Sequence, residues 1–326
     1  MTIAAKLLVY SVLATLAAAV SAPVLSQAFP SKPVRLVVGS AAGGPIDLVA
    51  RITAQKLTQV FDQQIVVENR VGAGGTIAAE YVARSSRDGY TLSMGSAATL
   101  CIAPALYPKL PYDPIRDFSP ISVVASTSFV FVVHPSIPAS SVNQFIALAK
   151  ARPGQLRFGS GGSGSVTHLS VELFRSMAKI AVLHVPYRGG SLAIIDLLSG
   201  QIDFMFDSIP NSQQHVKGGK LRALGVTSAG RSRLIPQVPT IAEAGVPGYE
   251  ATTWFGVLAP AGTPPDVIER LAAASHQAIA SDDLRQRMLG HGFEPMGNTP
   301  QQFAQLIRLE LPKWAKVVQS SGAKAN

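Results

Sequence analysis

Apolar and polar positions along this chain alternate between the period of a strand and the period of a helix. Residues 34–38 are almost continuously apolar, as a buried strand requires, and residues 45–60 then place Ile46, Val49, Thr53, Leu57 and Val60 near one helical face. The change recurs with a strand at 65–67, a helix at 76–83 and a strand at 90–94, a rhythm that predicts a parallel sheet. A proline-rich stretch at 104–120 leads to β-branched residues at 123–133, which read as a crossing strand. The rhythm then restarts, with helices expected at 142–151, 167–177 and 191–198 and strands at 156–158, 181–185, 202–206 and 221–226. Residues 252–258 read as a return crossing. Helices at 264–280, 282–289 and 300–318 are expected to pack back on the first half.

Two crossings imply two α/β domains, 29–127 plus 252–326 and 128–251, joined by a two-segment hinge able to close on a ligand. Length agrees, since 326 residues exceed what one core usually organises. The first 28 residues carry Lys6, an apolar run at 7–20 and the small residues Ser26 and Ala28, the pattern of an export signal. The run is short for a membrane span, so cleavage near Ala28-Phe29 and a periplasmic mature chain are expected. Cys101 is the sole cysteine, which excludes an internal disulfide and reads as a small buried hydrophobe. The net charge of +9 is spread along the chain without a basic run, so nucleic-acid binding is not indicated.

Two uncharged loops carry the candidate chemistry. Ser40, Ala41, Ala42, Gly43 and Gly44 follow the first strand and lead to Asp47 in a helix, where Pro45 and the acid both suit the first turn. Ser160, Gly161, Gly162, Ser163, Gly164 and Ser165 likewise precede a helix bearing Thr167 and His168. A helix N-terminus offers unpaired N–H groups and positive dipole, and small residues let an anion approach the backbone. The two loops therefore read as halves of one anion clamp. Ser96 and Thr99 after the third strand, and Tyr187, Arg188 and Gly189 after a later one, should reach the same sheet edge. Arg188 offers a bidentate partner for a second carboxylate. Asp207 either accepts a hydrogen bond from a ligand or caps a helix near Asn211.

Rival readings of the second loop fail on their partners. Its G-x-G-x-x-G lacks the acidic residue expected about 20 positions on. The segment Gly161-Gly-Ser-Gly-Ser165 misses the nucleophile elbow at its last position, and His168, five residues past Ser163, reads as a capping or packing side chain rather than a base. Scattered histidines give no metal-ligand spacing.

In order and spacing, Phe29-Pro-Ser-Lys-Pro-Val-Arg35, Gly43-Gly-Pro-Ile-Asp47, Val67-Glu-Asn-Arg70 with Gly72-Ala-Gly-Gly75, Asp88-Gly-Tyr-Thr-Leu92, Leu110-Pro-Tyr-Asp-Pro114 and Val185-Pro-Tyr-Arg-Gly189 make up a specific pattern. The chain resembles the extracytoplasmic solute receptors of tripartite tricarboxylate transporters, the Bug-type receptors. The resemblance implies a type II periplasmic-binding-protein fold with two Rossmann-like α/β domains and an interdomain ligand cleft. It also implies a carboxylate held by the loops matching 40–44 and 160–165 with ordered water, no cofactor and no enzymatic activity. The expected partners are a small carboxylate and, transiently, membrane transporter subunits, with the receptor a monomer; the alternatives are an orphan sensor component or a secreted serine hydrolase. The family often has Pro-Phe-x-Pro before its paired glycines, whereas this chain has Gly39-Ser40-Ala41-Ala42. That substitution widens the wall and adds a hydroxyl.

Overall fold

The structure is a computed structural model that describes residues 29–324, and the chain from Lys32 onward forms one compact unit. The expected export signal lies outside the described residues. Strand β1 (Val34–Val38) takes β2 (Ile65–Asn69) and β3 (Thr91–Ser96) as parallel neighbours, with Val34 opposite Ile65 and Leu36 opposite Leu92. Parallel strands require crossovers, supplied by α1 (Pro45–Phe61) and α2 (Thr76–Ala83). Pro45 opens α1, where a missing N–H costs nothing, and Val49, Ile52 and Leu57 bury the helix against the sheet.

Strand β4 (Phe118–Val133) is shared by both halves of the molecule. Through Ser128 it runs antiparallel to β9 (Thr252–Pro260); from Phe129 it pairs instead with β7 (Phe204–Ser208) and β8 (Arg222–Val226). It begins five residues earlier than its β-branched text suggests. Pro120 is accommodated where the register with β9 shifts, a position at which a residue without an N–H is tolerated. Beyond β7, β5 (Arg157–Ser160) pairs parallel with β7 and β6 (Leu183–Pro186), and the sheet order is β2-β1-β3-β9-β4-β7-β5-β6. Helices α5 (Val166–Ala178) and α6 (Gly190–Leu198) provide the crossovers of this half.

Helices α3 (Ala103–Leu106) and α4 (Val142–Ala151) flank β4 in sequence, and a π-wound turn at Ala98–Ile102 follows β3, where the sequence predicted no element. That turn buries Cys101, and burial raises the thiol pKa. Helices α7 (Ile209–Lys217), α8 (Pro265–Ala280) and α9 (Asp282–Gly290), the short β10 (Glu294–Pro295) and α10 (Pro300–Ser321) complete the chain.

Phe131 centres the aromatic core under β4. Its ring lies 4.8 Å from Phe145, 5.4 Å from Phe174 and 5.0 Å from Phe206, all edge-on or tilted as ring quadrupoles prefer. Helix α10 starts on a reciprocal cap between Thr299 and Gln302. Its buried Glu310 accepts from the indole N–H of Trp254 on β9 at 2.8 Å and of Trp314 at 3.4 Å. Burial raises the Glu310 carboxyl pKa despite these donors and nearby Lys313. Helix α10 packs on β4 and α3 and also on α5, so it touches both halves rather than the first alone.

Candidate functional site

The first loop is held in shape from behind. Gly39 passes so close to Gly75 that a Cβ would stand 2.7 Å from the Gly75 Cα, so a side chain there would force the loops apart. Asp47 is buried and turned into the loop: its Oδ2 accepts from the Gly43 N–H and Arg51 Nε, each at 2.9 Å, and its Oδ1 accepts from Asn69 Nδ2 at 2.8 Å. The same Asn69 amide donates to the Ser40 carbonyl at 2.9 Å. Burial alone would raise the Asp47 pKa, but these donors and the Arg51 charge outweigh it and hold the carboxyl below the usual range. Asp47 therefore positions the loop and takes up one of the N–H groups that the sequence offered to a ligand.

The second loop is also largely self-satisfied. The N–H groups of Gly161, Gly162 and Gly164 donate to Thr167 Oγ1 at 3.0 Å, Ser160 Oγ at 3.1 Å and His168 Nδ1 at 3.1 Å. Ser165 caps α5, its hydroxyl accepting the His168 N–H at 3.2 Å. Beneath the loop, His168 and His184 stack at 3.8 Å with an 8° tilt, and Phe158 lies 4.7 Å from His184. Burial depresses both histidines to about 4, and His168 also feels the charges of His184 and Arg175. Because His168 Nδ1 accepts, its proton sits on Nε2, which lies 3.8 Å from Glu172. Ser160 is fully buried with its Oγ 2.7 Å from His184 Nε2. Among the described residues Ser163 and His168 form no hydrogen bond, so the pair a hydrolase reading needs does not assemble; the serine that meets a histidine is sealed from solvent.

A cavity of about 490 Å³ opens at the carboxyl ends of β3 and β7, the ligand edge of an α/β sheet. Gly43, Pro45 and Ile46 bring the start of α1 to it, and Ser165, Val166 and Thr167 bring the start of α5. The first-turn N–H groups of Ile46 and Asp47 in α1, and of Val166 and Thr167 in α5, have no partner within their own helices. Two positive helix ends thus meet one cavity without a cationic side chain between them. Ser96 and Ser208 add hydroxyls at the strand ends, and Phe129, Phe255 and Phe293 supply an aromatic wall. A larger hollow of about 900 Å³ lies near Lys32, Arg35 and Arg84, but there the charges already pair with Asp88, Glu68 and Glu80.

Gly43, Ser96, Ser165 and Thr167 are the sequence candidates whose residues line the cavity. Thr99 stands behind Ser96, with hydroxyls 3.2 Å apart and its carbonyl accepting from Tyr112 at 2.6 Å. The Tyr187 hydroxyl donates to Asp196 at 2.7 Å and is pushed up to about 12 by burial and that carboxylate. Arg188 is exposed and has no ion pair among the described residues, while Gly189 caps α6. Asp207 is buried, accepting from Asn211 at 2.8 Å and Ser212 at 2.7 Å, and burial raises its pKa despite them. These bonds tie Asp207 to two side chains of α7, while the N-cap of that helix is Ser208, which makes no side-chain cap hydrogen bond. Ile46, Phe129 and Phe293 escaped sequence reasoning, and Phe255 read more as hinge packing than as a ligand stacker, because only the topology tells which apolar residues of strands and first turns end beside one another.

A mixed α/β sheet with two helix N-termini at one cleft is an arrangement suited to holding a small anionic solute. Over residues 49–323 the chain matches the family described as tripartite tricarboxylate transporter family receptor, and it belongs to that family. It is 37% identical to protein BugT of Bordetella pertussis over 94% of each chain. A protein of R. palustris solved with adipate is 37% identical with a TM-score of 0.77, covering 91% of this chain and 99% of that one. MatC from Rhodopseudomonas palustris, solved with bound malate, is 34% identical with a TM-score of 0.73, covering 89% and 100%. These likenesses bear out the type II binding-protein fold and place the chain among receptors rather than enzymes.

Proposed function

We propose that this receptor captures a small carboxylate with the first turns of α1 and α5 and delivers it to the membrane subunits of a tripartite transporter. The observation that carries the reading is that both first turns line one cavity with no competing cation. The adipate and malate in the two related structures support it. Because Gly43 and the glycines of the second loop spend their N–H groups internally, the anion-facing donors are Ile46, Asp47, Val166 and Thr167, joined by the hydroxyls of Ser96 and Ser208. A hydrogen bond to a charged group contributes about 1.5 to 3 kcal/mol, so a few such donors suffice without a salt bridge.

In this reading the chain is exported, cut near Ala28-Phe29 and works as a periplasmic monomer that docks transiently on its transporter. Residues 29–127 plus 252–326 close against 128–251 about the crossings at β4 and β9, where β4 changes partners between Ser128 and Phe129. A thermal-shift panel of mono-, di- and tricarboxylates tests the core of it. A ligand at a hundred times its dissociation constant stabilises by about 2.7 kcal/mol, which for a chain of this length corresponds to a rise of about 4 °C. No rise with any carboxylate overturns the reading.

A further inference from the structure

The cavity has one anion-binding pole and, apart from scattered hydroxyls, an apolar lining. Besides the helix starts, Leu48, Phe129, Pro210, Phe255 and Phe293 form its apolar wall, with Phe255 and Phe293 packed edge to face at 5.8 Å and 85°. The neutral hydroxyls of Ser96, Thr127, Ser208 and Thr253 stand on its strands. No lysine or arginine lines it. Arg51, the basic residue of the first loop's helix, is committed to Asp47 at 2.9 Å, and Arg175 of α5 to Glu172 at 2.7 Å. Several hydroxyls at the cavity are also occupied: Thr127 donates to the Gly292 carbonyl at 3.1 Å, and Thr167 accepts from Gly161. His291, on the exposed rim, is the only ionisable side chain in the lining.

We infer that the cleft selects a monocarboxylate with an apolar body, aromatic or aliphatic, over a dicarboxylate of the same length. This rests on the carboxylate reading above and adds the substrate class. A second carboxylate carried to the aromatic wall would lose its water and gain no cation, and burying an unpaired ionised group is far more costly than burying a methyl. An aromatic ring or alkyl chain gains instead from covering Phe129, Phe255 and Phe293. About 490 Å³ accommodates either body.

Hexanoate and adipate isolate the point, since adipate is hexanoate with a second carboxylate in place of its terminal methyl. Calorimetry on the exported protein, dialysed free of carried-over ligand, is expected to show hexanoate and benzoate binding at least tenfold more tightly than adipate and malate. Adipate equal to or tighter than hexanoate overturns the inference and leaves the carboxylate reading standing. No binding of any of the four acids while another carboxylate of the panel gives a thermal shift overturns the inference alone, and no shift with any carboxylate overturns both. A charge-adding variant gives an independent check: His291→Arg, at an exposed position that folding tolerates, is expected to raise adipate affinity relative to hexanoate at least fivefold. An unchanged ratio counts against the inference.

Discussion

At the scale of single residues, the binding loops are shaped by side chains that do not themselves face the cavity. Asp47 gathers Gly43, Arg51 and Asn69. Asp47→Ala leaves these donors without their acceptor and is expected to lower stability by about 2–3 kcal/mol while weakening carboxylate binding, as read by urea unfolding and calorimetry. Asp47→Asn should cost less stability, because one oxygen still accepts. The stacked histidines act on the second loop in the same indirect way, and their titration has a definite sign. Both sit at about 4 in the folded protein against about 6.5 in an unfolded chain. The unfolded state therefore takes up protons first, so their contribution is complete above about pH 7 and is lost as pH falls from about 6.5 towards 4. The urea midpoint is expected to drop across that window, and His184→Phe, which keeps the stack without a titratable ring, to flatten the drop. Equal slopes in variant and parent would remove the pair from the account.

Among the elements, β4 and α10 organise both halves. Glu310 binds α10 to β9 through Trp254, and Glu310→Leu strands two buried indole N–H groups. A loss of about 2–4 kcal/mol is expected in urea unfolding, whereas Glu310→Gln, which retains an acceptor oxygen, should lose much less. Much of this architecture was legible in the sequence. Helices 76–83 and 142–151 fall where their periodicity placed them, and the strand-helix rhythm gave the parallel neighbours of β1 and β5. The start of β4 was hidden by Pro120, because a proline ordinarily argues against a strand and the register shift that admits it is a tertiary feature. The turn at Ala98–Ile102 was hidden because five residues are too few to show a helical period. The candidate site was legible as two loops and only partly as chemistry: the glycines were visible, but not the capture of their N–H groups by Thr167, His168 and Asp47.

For the molecule as a whole, the proposed closure makes ligand capture depend on how closely the two halves approach. Gly164, in the second loop with φ of +75°, comes near α3 of the other half, where an added Cβ would stand 2.9 Å from Leu106 Cδ1. Gly164→Ala is expected to cost about 1–2 kcal/mol of stability through its backbone and to lower carboxylate affinity at least tenfold by wedging the halves. Unchanged affinity in calorimetry would show that closure is not limited at this contact. Cys101 offers a way to tell that motion from unfolding. With 1% of its surface exposed, and with the charges of Glu310 and Lys313 on α10 acting on its thiol, it is out of reach of a thiol reagent while that helix stays docked. The chain thus carries one chemical clock for the release of its last helix, and a closing cleft should leave the clock's rate unchanged.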